Sequence, residues 1–522
     1  MASSKISGSD IGRRRNSPTS LDTCSLYARP ETTLLQLAWI SIAIWLGLLI
    51  GLAALPWPAR ATAEASIQPS LSQPQAVASL PTVLTAPAAN ETVAASSRYL
   101  PAPQASGLGL LGGSPPRAIS ANPGASNLLP GTGWLGRTVG FGAASGIGLG
   151  GLWIGNTDYL LTGGTQPRSW SFNSLLILNL NLDLERLAGL PGTSIDASML
   201  QFNGQNANGK AGTVQGYDGL TGPEPRVRTE LYELWWRQVF FASKLVIRIG
   251  KTVPTFDFNN VSKPIAISDD SRDIPSVTGL LYTPIFKNPT LFGAAPGYYN
   301  SAYGITANVA PTNHFYFTYA FYNGALASGV QTGLKTDPQF DGYYFTIGEA
   351  GSAWLLGHDD MPGKIAVGGW TQTGTLKGCT ARPACLQPGV TQNGSQGLYT
   401  FGSQRIWFAH PDRDNSGVSG FFQFGFNDSN TMIANRYVGL GLTGFGLVPA
   451  RPVDSLGAGL AWSWLNRIYG FRSNEAMLQV YYQAHLIGTS FLQPALSYIP
   501  NPGLNPQIQG SVAMTAQLAV LF

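Results

Sequence analysis

GSVAMTAQLAVLF, residues 510–522, is the stretch of sequence that decides the fold. Apolar side chains recur at every second position from Val512 to Phe522, and the residues between them are small or polar until Leu521. Successive side chains of a β-strand point to opposite faces, so one face of this segment suits lipid and the other suits a wet interior. The chain is therefore predicted to end on an amphipathic strand, although a soluble β-sandwich can carry a strand of the same kind.

The composition favours a membrane barrel over a soluble sandwich. Charged residues make up only 11% of the chain, against an average of about 25%, and 63 of the 522 residues are glycine. The hydrophobic content of 44% and the mean hydropathy of +0.05 are ordinary, as expected when apolar residues are spread over alternating strands. These values exclude a bundle of several transmembrane helices.

The N-terminal part of the chain is predicted to serve export. Leu34 to Leu55 is an apolar run without a charge, basic residues precede it, and Ala61-Thr62-Ala63 follows it. Residues 1–63 are therefore interpreted as a secretory signal cleaved near Ala63 or Ala65, with a retained inner-membrane anchor as the alternative. Residues 64–130 are rich in Ala, Ser, Pro, Gln and Gly, which predicts a disordered, low-complexity extension without a core.

Charge and cysteine usage are consistent with an exported protein. Most of the formal net charge of +4 lies in residues 1–63, so the rest of the chain offers no basic surface for nucleic acid. Cys379 and Cys385 remain after removal of the signal segment, and a disulfide closing a surface loop is the simplest interpretation outside the cytoplasm.

Residues 131–522 repeat one pattern, in which alternating strands are separated by turns or longer loops. Phe315, Phe317, Tyr319 and Phe321 alternate with more polar or smaller residues. The same period recurs from Leu176 to Glu185 and in the sets that start at Gly420 and Ala476. At roughly 20 to 25 residues per strand with its connection, this region accommodates about sixteen strands. We therefore predict an all-β fold, a closed transmembrane antiparallel barrel, with Phe522 at the rim on an outward face because open sheet edges cannot face hydrocarbon.

Several segments resemble one known family. RTELYELWWRQVFF at 228–241, followed by LVIRIGK at 245–251, is similar to a hairpin of the carbohydrate-selective porins of the OprB type. Further similar segments are Gly133-Trp134-Leu135-Gly136, the Pro-Gly pair at 362–363 before Gly369-Trp370, the R-x-x-D run at 451–454, and residues 493–503. The terminal Phe522 also resembles the C-terminal signature of bacterial outer-membrane proteins.

The resemblance implies a sixteen-stranded barrel in the outer membrane of a Gram-negative bacterium that passes sugars passively. Its substrates would be mono- and small oligosaccharides, and outer-membrane lipid would surround it. Its oligomeric state would be a monomer or a homotrimer. The extension before the barrel is a candidate for binding peptidoglycan. Two alternatives stay open: an outer-membrane barrel enzyme, and a barrel-anchored structural protein that binds the cell wall. Arg237 departs from the family, which commonly has an acidic residue at this point.

Candidate residues for selectivity follow from the alternation of the hairpin. Directing Tyr232, Leu234 and Trp236 toward lipid leaves the residues between them facing the lumen. Arginine forks, carboxylates and an indole ring are groups that can replace the hydration of a sugar. The alternative is that these charges only brace the wall and solvate the pore. The predicted lumenal set is Glu233, Trp235, Arg237 and Arg248, with Lys251, Asp257, Arg405 and Arg451 as further candidates.

No catalytic residue is predicted. Asp269-Asp270 and Asp359-Asp360 are adjacent pairs whose side chains usually point apart, whereas paired glycosidase acids must face each other across a substrate. His485 falls on the inward face of its strand and is expected to line the pore rather than to act as a base. Only four histidines occur in the whole chain, too few with the remaining cysteines to suggest a zinc site, so no metal site is predicted. No cofactor is predicted.

Overall fold

A computed structural model describes residues 133–522 of the protein apart from 142–144, 223, 242–243, 262–277, 298, 313, 329–339, 341, 358–360, 379–388 and 411–415. Several predictions concern residues outside this set. They are the signal segment at 1–63, the extension at 64–130, the disulfide between Cys379 and Cys385, and the acidic pairs at 269–270 and 359–360.

The described residues form one closed antiparallel β-barrel, in which each strand pairs with its neighbours in the chain and β1 pairs with β16. This confirms the predicted barrel and its strand number. The strands are β1 Ile147–Thr162, β2 Trp170–Asp183, β3 Thr193–Asn203, β4 Val227–Phe240, β5 Leu245–Thr252, β6 Ala302–Thr312, β7 Phe315–Asn323, β8 Tyr344–Leu356, β9 Met361–Lys377, β10 Thr391–Phe408, β11 Gly417–Asn427, β12 Ala434–Phe445, β13 Ser455–Leu465, β14 Asn474–His485, β15 Ser490–Ile499 and β16 Ser511–Leu521.

The two faces of the strands differ as the alternation predicts. On β7 the rings of Phe315, Phe317 and Tyr319 are exposed on the outside of the barrel, whereas Thr318 is fully buried. On β16 Met514 is exposed, whereas Thr515 is buried. An apolar outer surface and a polar inner surface are what a lipid-embedded barrel requires.

The barrel closes where the two ends of the chain meet. The N–H of Gly151 donates to the carbonyl of Phe522 at 2.7 Å, and the N–H of Phe522 donates back at 2.9 Å. The indole N–H of Trp134 donates to the carbonyl of Leu521 at 2.8 Å, and its ring meets that of Phe522 edge-on at 6.4 Å. Phe522 therefore lies at the rim and continues the outward set of Val520, as predicted.

Replacing Gly151 with Ala is expected to impair this closure. A Cβ at Gly151 would lie 2.4 Å from the carbonyl oxygen of Ile177 and 2.5 Å from the Phe522 ring, so the seam must shift at a cost of about 1–3 kcal/mol. The fraction of unheated protein that migrates as a folded barrel in a denaturing gel measures the effect. Gly348→Ala is the control, because its Cβ would find its nearest neighbour at 3.5 Å. Equal folded fractions for the two variants would contradict the expectation.

Helices are short and lie in the connections. They span Trp134–Thr138, Leu184–Ala188, Ala207–Ala211, Pro254–Asp257 and Thr283–Phe286, with 3-10 turns at Pro289–Leu291, Ala325–Ser328 and Arg467–Tyr469. The sequence placed Leu184 and Glu185 on a strand, which is wrong. The carboxylate of Asp183 accepts from the N–H groups of Glu185 and Arg186 and starts a helix there. Among the described residues, no helix is both long and apolar enough to cross a bilayer.

The two rims of the barrel differ in the length of their connections. At the rim of Phe522, β4 and β5, β6 and β7, and β14 and β15 are joined by short turns. The opposite rim carries the longer loops at 204–226, 253–301 and 324–343. Outer-membrane barrels have short periplasmic turns and longer external loops, which assigns the rim of the longer loops to the cell exterior.

Candidate functional site

The described parts of the connection after β5, residues 253–261 and 278–301 apart from 298, contact strands on the inside of the barrel. The N–H of Asn259 donates to Glu349 on β8 at 2.8 Å. Further along, the N–H of Leu281 donates to the side-chain oxygen of Gln479 on β14 at 2.6 Å, and Asn427 on β11 donates to the carbonyl of Thr290 at 2.8 Å. Because these strands lie on different sides of the closed barrel, the loop narrows its interior.

A carboxylate on the wall holds the beginning of this loop. Glu349 is fully buried and accepts hydrogen bonds from the hydroxyls of Tyr316 and Tyr399 at 2.7 and 2.9 Å, besides that from Asn259. Three donors on one carboxylate satisfy most of its acceptor capacity. Glu349 therefore joins the loop to β7 and β10 as well as to its own strand.

A second carboxylate holds the loop at 204–226. Glu475 on β14 accepts from the hydroxyl of Thr213 at 2.5 Å and from the N–H groups of Val214 and Gln215 at 2.9 and 3.0 Å. It also accepts from the N–H of Gly503 in the connection between β15 and β16. One buried side chain thus positions two loops from the outer rim.

The loop at 204–226 is also fixed to the wall beside the seam. Asp218 accepts from the side-chain amides of Asn156 on β1 and Asn173 on β2 at 2.6 and 2.8 Å. Burial raises the pKa of Asp218, since the charged carboxylate loses its hydration there. The amide donors offset part of that loss.

The two loops meet inside the barrel and form one unit. The N–H of Gly219 donates to the carbonyl of Leu281 at 2.7 Å, and the N–H of Thr283 donates to the carbonyl of Gly216 at 3.0 Å. We call residues 204–222 and 278–301 the inner lobe. It is held by β1, β2, β11 and β14.

Most of the predicted lumenal residues lie together on β4, β5 and the short helix that follows. Arg248 forms a buried ion pair with Asp257 and lies 5.2 Å from the centre of the Trp235 ring. Arg237 occupies the register position opposite Arg248. Lys251 is buried and donates to the carbonyl of Leu231 at 2.5 Å. We call Glu233, Trp235, Arg237, Arg248, Lys251 and Asp257 the charged cluster.

The predicted orientation of Tyr232 is wrong. The pairing of β3 with β4 shifts register between Ser198 and Met199, and this bulge turns Tyr232 inward together with Glu233. Tyr232 is 1% exposed, and its hydroxyl accepts from the N–H of Tyr299 in the inner lobe at 3.3 Å. Beyond the bulge, Leu234 and Trp236 face outward as expected.

Arg405 and Arg451 lie apart from the charged cluster. Arg405 is fully buried on β10, with its guanidinium 4.9 Å from the Phe408 ring and 5.0 Å from the Phe445 ring. Arg451 lies in the connection between β12 and β13, where it pairs with Asp454 at 2.7 Å and donates to the carbonyl of His485 at 2.7 Å. Arg451 therefore braces the rim of short turns.

Several residues that position the site were not among the predicted set. Asp196 on β3 lies opposite Trp235 and accepts from the side chain of Asn179 at 2.8 Å. Asp196 could have been predicted from the sequence, because it is an acidic residue at an inward position of an alternating strand. The same holds for Glu475. Lys287 could not have been predicted in this way, because the inner lobe has no periodicity.

Lys287 is a buried cation in the inner lobe. Its ammonium donates to the carbonyl of Ala295 at 2.7 Å and lies 5.9 Å from the centre of the Phe292 ring. Burial lowers the pKa of Lys287 to about 7, so the group loses its charge as the pH rises through neutrality. The inner lobe thus carries a positive charge that is weakest at alkaline pH.

The chemistry of this interior is recognition through hydrogen bonds. Arginine supplies planar forks of donors, carboxylates supply acceptors, and an indole supplies an apolar face. Within the described residues, no group of three or more His, Cys, Asp or Glu side chains could hold a metal ion.

Comparisons with known proteins agree with this architecture. A family model described as the carbohydrate-selective porin, OprB family, matches residues 174–521. Porin B of Pseudomonas aeruginosa is 21% identical over 417 residues, covering 71% of this chain and 86% of that protein. The high-pH structure of Pseudomonas putida OprB superposes with a TM-score of 0.62 at 18% identity, covering 76% of this chain and 99% of that one, which shows the shared fold. The chain therefore belongs to the OprB family of carbohydrate-selective porins and is a sugar porin of the Gram-negative outer membrane.

Proposed function

We propose that the charged cluster and the inner lobe together form the constriction at which sugars are selected during passive diffusion. The proposal is supported by the inner lobe itself, which is fixed to four strands of the wall and so narrows the interior. Asp257 belongs to the same loop as the distal part of the lobe and pairs with Arg248 on the wall. The loop and the charged cluster are therefore mechanically connected.

The balance of charges in this region favours neutral solutes. Arg237, Arg248 and Lys251 supply cations, while Glu233, Asp257 and the neighbouring Asp196 supply carboxylates. A neutral sugar passing between them exchanges water for both donors and acceptors. An ion of either sign gains attraction from one set and repulsion from the other, so mono- and small oligosaccharides are the proposed substrates.

The proposed activity is transport through a channel, with no catalytic step. The family and the barrel favour a channel. An enzyme would reveal itself in reconstituted protein as turnover of a sugar substrate without conductance.

Liposome swelling tests the proposed selectivity. With protein reconstituted into vesicles, we expect glucose and maltose to enter several-fold faster than charged solutes of matched size, such as gluconate or glucosamine. The rate of turbidity loss after dilution into each solute gives the comparison. Equal rates for glucose, gluconate and glucosamine would show a general pore and refute selection of neutral sugars.

A further inference from the structure

A cavity of about 400 Å³ lies at the rim of the longer loops, between the β13–β14 and β15–β16 connections. Its size suits a small molecule, since ligand pockets usually measure about 300–1,000 Å³. Among the described residues that line it, none belongs to the charged cluster or to the inner lobe. The aromatic and polar side chains of the lining are Arg467, Phe471, Arg472, Ser473, Asn474 and Asn501.

The aromatic part of this lining is held in a fixed orientation. The ring of Phe471 stacks on that of Tyr469, with the centroids 5.1 Å apart and the planes at 10°. The hydroxyl of Tyr469 donates to the carbonyl of Thr431 in the β11–β12 connection at 2.5 Å, and the side chain of Asn466 donates to the carbonyl of Asn430 there at 2.8 Å. Because these contacts join two connections, the ring is oriented before any ligand binds.

The polar part of the lining is fixed by contacts with the β15–β16 connection. Arg472 donates to the carbonyls of Pro502 and Ile508 at 3.0 and 2.8 Å. The side-chain amide of Asn501 donates to the side-chain oxygen of Asn474 at 2.8 Å. A guanidinium and two amides are therefore held in place around the cavity, which lowers the entropy that binding would cost.

The lining carries positive charge without a matching carboxylate. Arg467 is exposed at the start of its 3-10 turn, and the contacts of Arg472 are to neutral carbonyls. In the described part of the chain neither arginine forms an ion pair, and none of the described lining residues is acidic. An anionic group that enters the cavity thus meets two guanidinium groups and no like charge.

We propose that this cavity binds a small saccharide that carries a carboxylate, such as a uronic acid or its disaccharide, from the medium. The guanidinium of Arg467 pairs with the carboxylate, the ring of Phe471 packs on the C–H face of the pyranose, and the amides of Asn474 and Asn501 bind its hydroxyls. A neutral sugar would leave the guanidinium groups without an anion, and an inorganic anion would leave the ring uncovered. The combination therefore favours an acidic sugar, bound at the cell surface outside the proposed constriction.

The test is isothermal titration calorimetry of the protein in detergent, with digalacturonate as the probe and its dimethyl ester as the neutral comparison. Arg467→Gln is the test variant, because it leaves the contacts of Arg472 and Asn501 in place. We expect the affinity for digalacturonate to fall at least about tenfold in this variant, and the ester to bind the wild type at least about tenfold more weakly, since each change removes a charge-assisted hydrogen bond. Arg168→Gln is the matched control, since Arg168 is an exposed arginine in the β1–β2 connection of the same rim, and should bind as the wild type does.

Five results would overturn the proposal. Three are absence of binding to the wild type, equal affinities of Arg467→Gln and the wild type, and equal affinities for the acid and its ester. The fourth is competition by acetate as strong as by galacturonate, which would indicate a general anion site. The fifth is binding that is lost in Arg248→Ala but kept in Arg467→Gln, which would place the sugar in the pore. Glucose entry in liposome swelling should be unchanged in Arg467→Gln, because Arg467 belongs to neither the charged cluster nor the inner lobe, so failure of this site and failure of sugar selection are distinguishable.

Discussion

Replacing Arg248 with Ala is expected to weaken saturable sugar binding in the pore by about tenfold to a hundredfold and to raise small-ion conductance. Arg248 is the centre of the charged cluster, with its guanidinium against the Trp235 ring and paired with Asp257. A hydrogen bond to a charged group contributes about 1.5–3 kcal/mol, which corresponds to this loss of affinity. The truncation also widens the passage, so ions meet less resistance.

The same substitution has a cost in stability that must be separated from its effect on sugar. Arg248→Ala deletes one member of the buried ion pair with Asp257, a change that costs about 3–5 kcal/mol in buried pairs. Arg248→Ala/Asp257→Asn removes the charge of the carboxylate as well. We expect the double variant to regain much of the lost stability but not the sugar affinity.

Planar-bilayer titration with glucose and maltose measures both effects, as sugar-dependent block and as open conductance. Arg451→Ala is the matched control, because Arg451 braces a turn at the short rim, away from the charged cluster. If folded Arg248→Ala protein shows the same sugar-dependent block as the wild type, Arg248 does not contribute to sugar selectivity. That result would leave the barrel and its family assignment intact.

Glu475→Ala is expected to release the inner lobe from the wall, with conductance rising several-fold and discrimination between sugars and ions falling. Glu475 accepts hydrogen bonds from Thr213, Val214, Gln215 and Gly503. Each bond to this carboxylate contributes about 1.5–3 kcal/mol, and the donors left behind on Thr213, Gln215 and Gly503 are buried. These donors can regain hydrogen bonds if the loop moves to where water reaches them.

Two measurements follow this release. Limited proteolysis should cut within 204–226 in the Glu475→Ala protein sooner than in the wild type, and single-channel recordings should show a larger and noisier conductance. Glu224→Gln is the control, since Glu224 lies in the same loop but is exposed. Glu475→Gln keeps the shape of the side chain but loses its charge. Its cleavage rate and conductance should therefore lie between those of the wild type and those of Glu475→Ala. Unchanged proteolysis and conductance in Glu475→Ala would show that the remaining contacts hold the inner lobe alone.

The sequence was sufficient for the barrel because its signal is local. Alternation at period two along β7, β11, β14 and β16 assigns each side chain to lipid or lumen without knowledge of any partner strand. The number of strands followed from the length of residues 131–522, and the hairpin at 228–251 indicated the family. Six of the eight residues predicted for the lumen lie together for the same reason, since β4, β5 and the helix after β5 are adjacent in the chain.

Only the tertiary structure decided how the interior is filled. The bulge in β4 that turns Tyr232 inward depends on how β3 pairs with it. The separate positions of Arg405 and Arg451 depend on how far around the closed barrel β10, β12 and β13 lie from β4 and β5. Thr213 and Glu475 are 262 residues apart, and nothing in the sequence around either indicates the other. The physical reason is that loops without periodicity take their shape from the donors and acceptors that the closed wall presents, and those groups become neighbours only when β1 pairs with β16.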